Sequence, residues 1–378
     1  MIRLAIIGGG YMASIFAEKA KEMNIETHCF SPRSGIKKPE SFDCIHDVNI
    51  LDKEKVVFEC RKLEINGVVA TTELTISVAA YVANALHLNG ISSDISNKIT
   101  DKYRNRKSVE EVDGLFHPRY CIVSSVNDIL NSGLKYPMIL KPTSKGGKRG
   151  ITVINSMKNV AEAFEYAISD GGKGQPLILE EYINGGMECS VESLSFHGTN
   201  YIIQVTEKIT SGPPHCVELA HHQPARLNPT LRKRIEKIMC KALTFVGLTN
   251  GACHTEIKIK DDRIYLIEFN ARPGGDHIAS PLTQLSTGFD YIKGAILIAL
   301  DINPNINLES FEKKYSGVVF ITEQTKEYKP IFDVCQNYSW CYKKNVISSD
   351  LKTIQHNDGF NTNYFIYCGS ERPTFLKQ

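Results

Sequence analysis

The chain is poor in several features that would have placed it quickly. It has a single tryptophan, Trp340, and no C-x-x-C pair among its eleven cysteines, which are odd in number and widely scattered. That excludes a disulfide framework and the usual zinc-ribbon spacing, and it predicts small buried hydrophobes in a reducing compartment. No apolar run approaches the ~20 residues of a membrane span; the best, Ala295-Ile-Leu-Ile-Ala-Leu300, stops at Asp301. The opening Met1-Ile-Arg-Leu-Ala-Ile-Ile-Gly8 has no charged leader region, so it reads as a strand and not as a signal peptide. Charge of one sign is also missing. With 44 Lys+Arg against 42 Asp+Glu the formal net charge is +2, which gives no global field for nucleic acid or an anionic membrane. There are no internal repeats and no low-complexity linker. What remains is a cytoplasmic globular protein whose 378 residues suffice for two or three domains, with 42% apolar and 23% charged residues.

Within that frame the chain divides by pattern. Over 1–95, apolar strands at 2–7, Glu26–Phe30 and Gly67–Ala70 alternate with helical stretches at Tyr11–Met23 and Glu73–Leu88, predicting a parallel, doubly wound α/β domain. Over 96–304 the pattern becomes α+β. Strands are expected at Pro137–Lys141, Leu177–Tyr182, Cys189–Ser195, Tyr201–Glu207, Ala252–Lys258 and Arg263–Asn270, with helices at Ala161–Ser169 and Leu231–Val246. The tail, 305–378, reads as a small β-rich domain of short strands and turns. Exposed strands in the first and last domains are compatible with a homodimer.

Gly8-Gly9-Gly10 after the first strand resembles a dinucleotide turn, but the expected acid at the end of the second strand is absent. Cys29-Phe30-Ser31-Pro32-Arg33 stands there instead, so Ser31 and Arg33 leave an NADP-dependent oxidoreductase open as an alternative of another class.

Three segments carry more chemistry. In the first, His254 through Asn270 reads as a β-hairpin; a turn centred on Asp262 places Glu256 opposite Glu268, with Glu268, Asn270 and Arg272 on one face. Like charges opposed across a sheet are destabilising. Two carboxylates and an amide oxygen form a hard-oxygen set suited to Mg2+, and two ions clamping phosphates would remove the repulsion. In the second, Met138-Ile-Leu-Lys141 leads into the basic glycine loop Pro142-Thr-Ser144-Lys-Gly146-Gly147-Lys-Arg-Gly150, whose N–H groups can cradle phosphate. It lacks the P-loop pattern. In the third, Leu177 to Glu188 runs from an apolar strand through a glycine turn to a carboxylate, a segment able to meet an adenine edge and ribose hydroxyls.

In this order the segments resemble the ATP-grasp superfamily over about residues 1–300, with Asn363-Tyr-Phe-Ile-Tyr-Cys-Gly369 resembling its closing strand. The resemblance implies a Rossmann-like entry domain, a two-lobed ATP clamp and a small C-terminal β-rich domain. It implies that Lys102 and Lys141 contact phosphates, that Ser144, Gly146 and Gly147 close over them, that Glu180, Glu181 and Ile183 line the adenine site, and that Glu188 meets the ribose. Glu256, Glu268 and Asn270 would hold two Mg2+ ions, for which Mn2+ could substitute, and Arg272 would steady transferring charge. The cofactors implied are ATP and Mg2+; the reaction is amide formation from a small carboxylate and an amine through an acyl phosphate.

Within the superfamily, the stretches Glu207 to Pro224 and Asn270 to His277 look most like those of L-amino-acid ligases, which marks His215, His221, Gly274, Gly275 and His277 as substrate candidates. The alternatives are a carboxylase, a carbamoyl-phosphate-synthase-like enzyme or a purine-pathway enzyme. The chain has no Met-Lys-Met biotinyl segment and no duplicated ATP-grasp half.

Overall fold

The computed structural model describes residues 1–172, 174–357 and 359–376. Its first sheet is built from β1 (Arg3–Ile7), β2 (Glu26–Ser31), β3 (Cys44–Asp47) and β4 (Gly67–Ala70), all parallel, in the order β3-β2-β1-β4. Leu4, Ala5, Ile6 and Ile7 are all fully buried, because helices cover both faces of β1. This is the doubly wound unit expected from the alternation of strands and helices.

The glycine turn after β1 is not shaped for a dinucleotide. A side chain added at Gly9 would come within 2.7 Å of Ile36 Cγ1, so Ile36 already fills the space a pyrophosphate would need. Arg33 is exposed and paired with Asp47, and the Ser31 hydroxyl donates to Pro32 O at 3.1 Å. The NADP alternative therefore loses its site to local packing.

The rest of the chain supplies β5 (Leu115–Phe116), β6 (Tyr120–Val123), β7 (Met138–Pro142), β8 (Thr152–Ile154), β9 (Leu177–Glu181), β10 (Met187–Phe196), β11 (Thr199–Thr210), β12 (Glu218–Gln223), β13 (Gly251–Lys260), β14 (Arg263–Asn270), β15 (Tyr315–Ile321), β16 (Cys341–Asn345) and β17 (Asn363–Gly369). Among the described residues they form two more sheets. One is a four-stranded antiparallel lobe, β6-β9-β7-β8; the other has nine strands, β16-β17-β15-β12-β11-β10-β13-β14-β5. The second lobe is closed from behind by the helix Pro229–Val246, which buries Ile235, Met239, Ala242 and Leu243 against the sheet. Asn228 caps this helix by accepting from Leu231 N at 2.8 Å, Pro229 starts it, and Gly247 ends it in the left-handed region. Truncating Ile235, Met239 or Leu243 to alanine costs about 2–5 kcal/mol in a packed core.

One expectation needs correction. The tail anticipated as a separate β-rich domain adds β15, β17 and β16 to the central sheet, through the β12–β15 pairing of Ala220 with Val319 and His221 with Val318. The joining strand itself, β12, went unrecognised, because Glu218-Leu-Ala-His-His-Gln223 has a polar pattern although all six residues are buried. Among the described residues no helix is long and apolar enough to cross a membrane.

Candidate active site

A cleft of about 380 Å³ lies between the two lobes, and the first domain forms one wall of it through Gly10, Tyr11, Thr72 and Glu73. Its floor is the β13–β14 hairpin. The turn uses Asp261 and Asp262, both with positive φ (48° and 60°), a conformation that short polar side chains tolerate. From Lys260–Arg263 the register runs evenly to Ile257–Leu266, then slips so that Glu256 pairs with Glu268 and Ile267 is left unpaired. This bulge changes which side chains face the cleft.

Each carboxylate is neutralised by an ammonium from a different element. Glu268 Oε1 lies 2.9 Å from Lys102 Nζ, and Glu256 Oε1 lies 2.7 Å from Lys208 Nζ, with Lys148 Nζ at 3.8 Å from its other oxygen. Burial works against ionisation of Glu256, but Lys208 and Lys148 outweigh it and hold the carboxyl well below its usual range. Burial likewise opposes a charged His254. Even so, Glu192, 2.7 Å from its Nδ1, raises the imidazole to about 9, so His254 is a cation at neutral pH. Its Nε2 faces Glu256 Oε1 at 3.5 Å.

The opposite wall carries a second charge group. Lys102 and Arg106 lie one turn apart on the helix Lys102–Lys107, which Asp101 caps, and so project to the same side. Arg106 is fully buried and bonds both Glu180 and Leu266 O. Lys141 on β7 reaches Glu180 Oε2 at 2.5 Å across the strand pair. Burial disfavours the Glu180 charge, but Arg106 and Lys141 pull its pKa down to about 2. The Glu180 side chain is thus consumed by its two cations, and what it offers the cleft is backbone. Glu181 is paired with Arg119 at 2.7 Å, and Glu188 with Lys258 at 3.1 Å.

The glycine loop between β7 and β8 reaches the first domain. Lys102 Nζ donates to Lys145 O at 2.7 Å, Asn357 N donates to Gly147 O at 3.3 Å, and Gly146 packs directly on the Glu73 carboxylate. Glu73 also binds Arg272, whose Nη1 donates to Pro273 O at 2.8 Å and whose Nε is buried without a hydrogen-bond partner. Burial would lower the Arg272 pKa, but Glu73 more than compensates, and the guanidinium stays charged.

The wall thus gathers Lys102, Lys141, Gly146, Gly147, Glu180, Glu181, Ile183, Glu188, Glu256, Glu268, Arg272 and Gly275 from the sequence-predicted set. Six others stand outside it. Ser144, near the start of the loop, is exposed. Asn270 is buried opposite His254 in the strand register. Gly274 is pressed against His254 and Glu192 and donates its N–H to Glu192 at 3.3 Å. His215 sits with Nδ1 3.3 Å from Ile151 O and its ring 4.9 Å from that of Tyr166. His277 is packed among Phe360 and Tyr364, and burial pushes it down to about 3, so it is a neutral packing residue.

The sixth, His221, is fully buried just behind the wall, with Nε2 3.2 Å from Glu218 Oε2 but in no hydrogen-bond geometry. Its donor atoms and those of Glu218 and Asp276, both in the wall, lie within 4.8 Å of one another. Burial and the neighbouring Glu218 raise the Asp276 carboxyl to about 6. Sequence reasoning missed Glu218, Asp276, Lys208, His254 and Arg106. Only the position of Lys208 on an apolar strand, between Glu207 and Ile209, was a signal open to reading.

Residues 134–280 match the family model described as an ATP-grasp domain. Over 98% of its length the chain also has the fold of an L-amino acid ligase from Bacillus licheniformis, with a TM-score of 0.81 at 20% identity, covering 94% of that chain. The alanine–anticapsin ligase of Bacillus subtilis is 25% identical over 273 residues, 65% of this chain and 57% of the ligase. The carbamoyl phosphate synthase large chain of Vibrio parahaemolyticus is 22% identical over 200 residues, 51% of this chain. This chain aligns with 18% of that protein's length.

Proposed function

We propose that the protein is an ATP- and Mg2+-dependent carboxylate–amine ligase that forms an amide through an acyl phosphate, with an amino acid or similar small acid as substrate. The observation that carries this reading is the pairing of Glu256 with Glu268 at the cleft floor, each matched by a buried lysine. Such an arrangement suits a ligand that brings both negative phosphates and divalent cations. Lys102, Lys141, Lys148 and the backbone of Gly146 and Gly147 line the cleft and would take the phosphates. Ile183 and the backbone of Glu180 and Glu181 would meet the base, and Glu188 the ribose.

Glu256 and Glu268 fit Mg2+ by their donor chemistry, since both present hard carboxylate oxygens in the cleft. When bound, the ions supply neutralisation of phosphate charge, and a two-ion arrangement with Mn2+ as a substitute belongs to the same reading. In the first step a substrate carboxylate oxygen attacks the γ-phosphorus, the bond to the bridging oxygen breaks, and ADP leaves. In the second, the amine nitrogen attacks the acyl carbon, the C–O bond to phosphate breaks, and the ammonium proton passes to solvent. Arg272, fixed by Glu73 with Nε left free, faces the reacting oxygens and stabilises the charge they gain. The acidic pair Glu218 and Asp276, with His221 behind them, gives the incoming amine a negative wall.

The test is incubation with ATP, Mg2+ and a panel of amino acids, reading ADP and phosphate. Release that requires both a carboxylate and an amine is expected. Absence of nucleotide cleavage across the panel would overturn the reading, and release driven by bicarbonate without an amine would move it to a carboxylase.

A further inference from the structure

A second cluster of ligating side chains lies well away from the cleft, in the first domain. Glu26 and His28 alternate along β2 and Cys44 and His46 along β3, with His28 paired to Cys44 and Phe30 to His46 in the parallel register. Alternation puts all four on one face of the sheet. The donor atoms of Glu26, His28 and Cys44 lie within 4.8 Å of one another.

The key residue is His28. It is 2% exposed, its Nε2 has no hydrogen-bond partner, and that atom points toward Glu26 Oε1 at 3.6 Å. A buried imidazole nitrogen with nothing to bond is destabilising unless a ligand satisfies it. The rest of the ring is already arranged for such a ligand. Nδ1 lies 3.0 Å from His46 Nε2 and can donate to it, which leaves the Nε2 lone pair bare. Glu26 is arranged in the same way. Arg3 Nε donates to its Oε2 at 3.0 Å, which fixes the carboxylate and leaves Oε1 facing His28.

The geometry points to a divalent transition-metal site, of the Zn2+ or Co2+ class, held by Glu26 Oε1, His28 Nε2 and Cys44 Sγ, with His46 orienting His28. One thiolate, one imidazole and one carboxylate are a borderline-soft set that selects zinc over magnesium or calcium. Bonds of about 2.0–2.3 Å put tetrahedral donors about 3.3–3.8 Å apart, so donors within 4.8 Å of one another need close by no more than about 1.5 Å, within reach of side-chain rotation. The fourth position is left to water. Cys44 and Glu26 are half-buried, so an ion can enter from the sheet edge. The charges of the thiolate and carboxylate cancel that of the ion, and Arg3 remains paired with the carboxylate. Bound there, the ion clips the four-residue edge strand β3 to β2.

The experiment uses the full chain, stripped with a chelator and titrated with Co2+. A thiolate-to-cobalt charge-transfer band and intense visible bands of tetrahedral cobalt are expected to saturate at one equivalent, a signal that an all-oxygen site at Glu256 and Glu268 does not give. Cys44→Ser should abolish the charge-transfer band, His46→Gln should weaken affinity about 10-fold or more, and Cys121→Ser, in the other lobe, should change nothing. X-ray absorption of the Zn2+ form of the unaltered chain provides a check that no variant can confound: one sulfur at about 2.3 Å with nitrogen and oxygen neighbours. Absence of the band, its survival in Cys44→Ser, or zero or several sulfur scatterers would overturn the site. None of these readouts depends on ligase activity.

Discussion

Glu256 and Glu268 face each other because the β13–β14 ladder slips by one residue at Ile267. With the two-residue turn at Asp261 and Asp262 alone, Glu256 would oppose Ile267 and Glu268 would point to the other face. A sequence reading that centres the turn on Asp262 reaches the same pair, but by a different path.

Glu268→Gln keeps the shape of this floor and removes one of its two charges. Turnover, read as phosphate release, should fall at least 10²–10³-fold, the usual cost of losing a preorganised charge at a reacting centre. Folding should survive, because Lys102 retains its bond to Lys145 O. Retained turnover would remove Glu268 from the metal site.

Glu180→Gln should instead strike stability. It leaves Arg106 and Lys141 buried without their shared carboxylate, a change that costs about 3–5 kcal/mol. Urea unfolding would show it as a lower midpoint. The pH dependence follows from the sign of the shift. The folded pKa is depressed to about 2, so this stabilisation is present above the ordinary carboxylate range and is lost as pH falls toward 2. The variant should lack that part of the acid dependence.

His254 acts in the other direction. Its folded pKa is raised to about 9, so its pairing with Glu192 is fully present below the ordinary histidine value and is lost as pH rises through 9. Melting temperature should decline between about pH 6.5 and 9. His254→Gln should flatten that decline, and a profile unchanged by the substitution would show that His254 is not the group involved.

Asp276→Asn should stabilise the protein above pH 6 while impairing the reaction. Burial and Glu218 disfavour the ionised carboxyl, so its deprotonation costs stability that the amide does not lose. If Asp276 receives an ammonium group, the KM for the amine should rise with little change in the KM for ATP. A rise in both would place Asp276 in the fold and not in the amine site.

The doubly wound alternation at the start of the chain, six of the lobe strands, the long helix from Leu231 to Val246 and the paired carboxylates were legible in the residues alone. Each depends on a local period, a cap or a short hairpin, and such features need few neighbours. The tertiary structure decided the rest. Glu218 to Gln223 is a central strand with a polar sequence, because Glu218, His222 and Gln223 find partners in Lys208, Tyr367 and Thr206 from other segments, although His221 does not. His215 and His277, which read as substrate candidates, stand outside the cleft wall, while Glu218, Asp276 and His254 line it. The tail joined the central sheet through one pairing with β12. The eleven cysteines likewise carry no motif in the sequence, yet register on two parallel strands brings Cys44 beside His28 and Glu26. Local order needs only the spacing of residues along the chain. Which charges meet across a cleft or a sheet is set by chain segments far apart in sequence, and only folding brings them together.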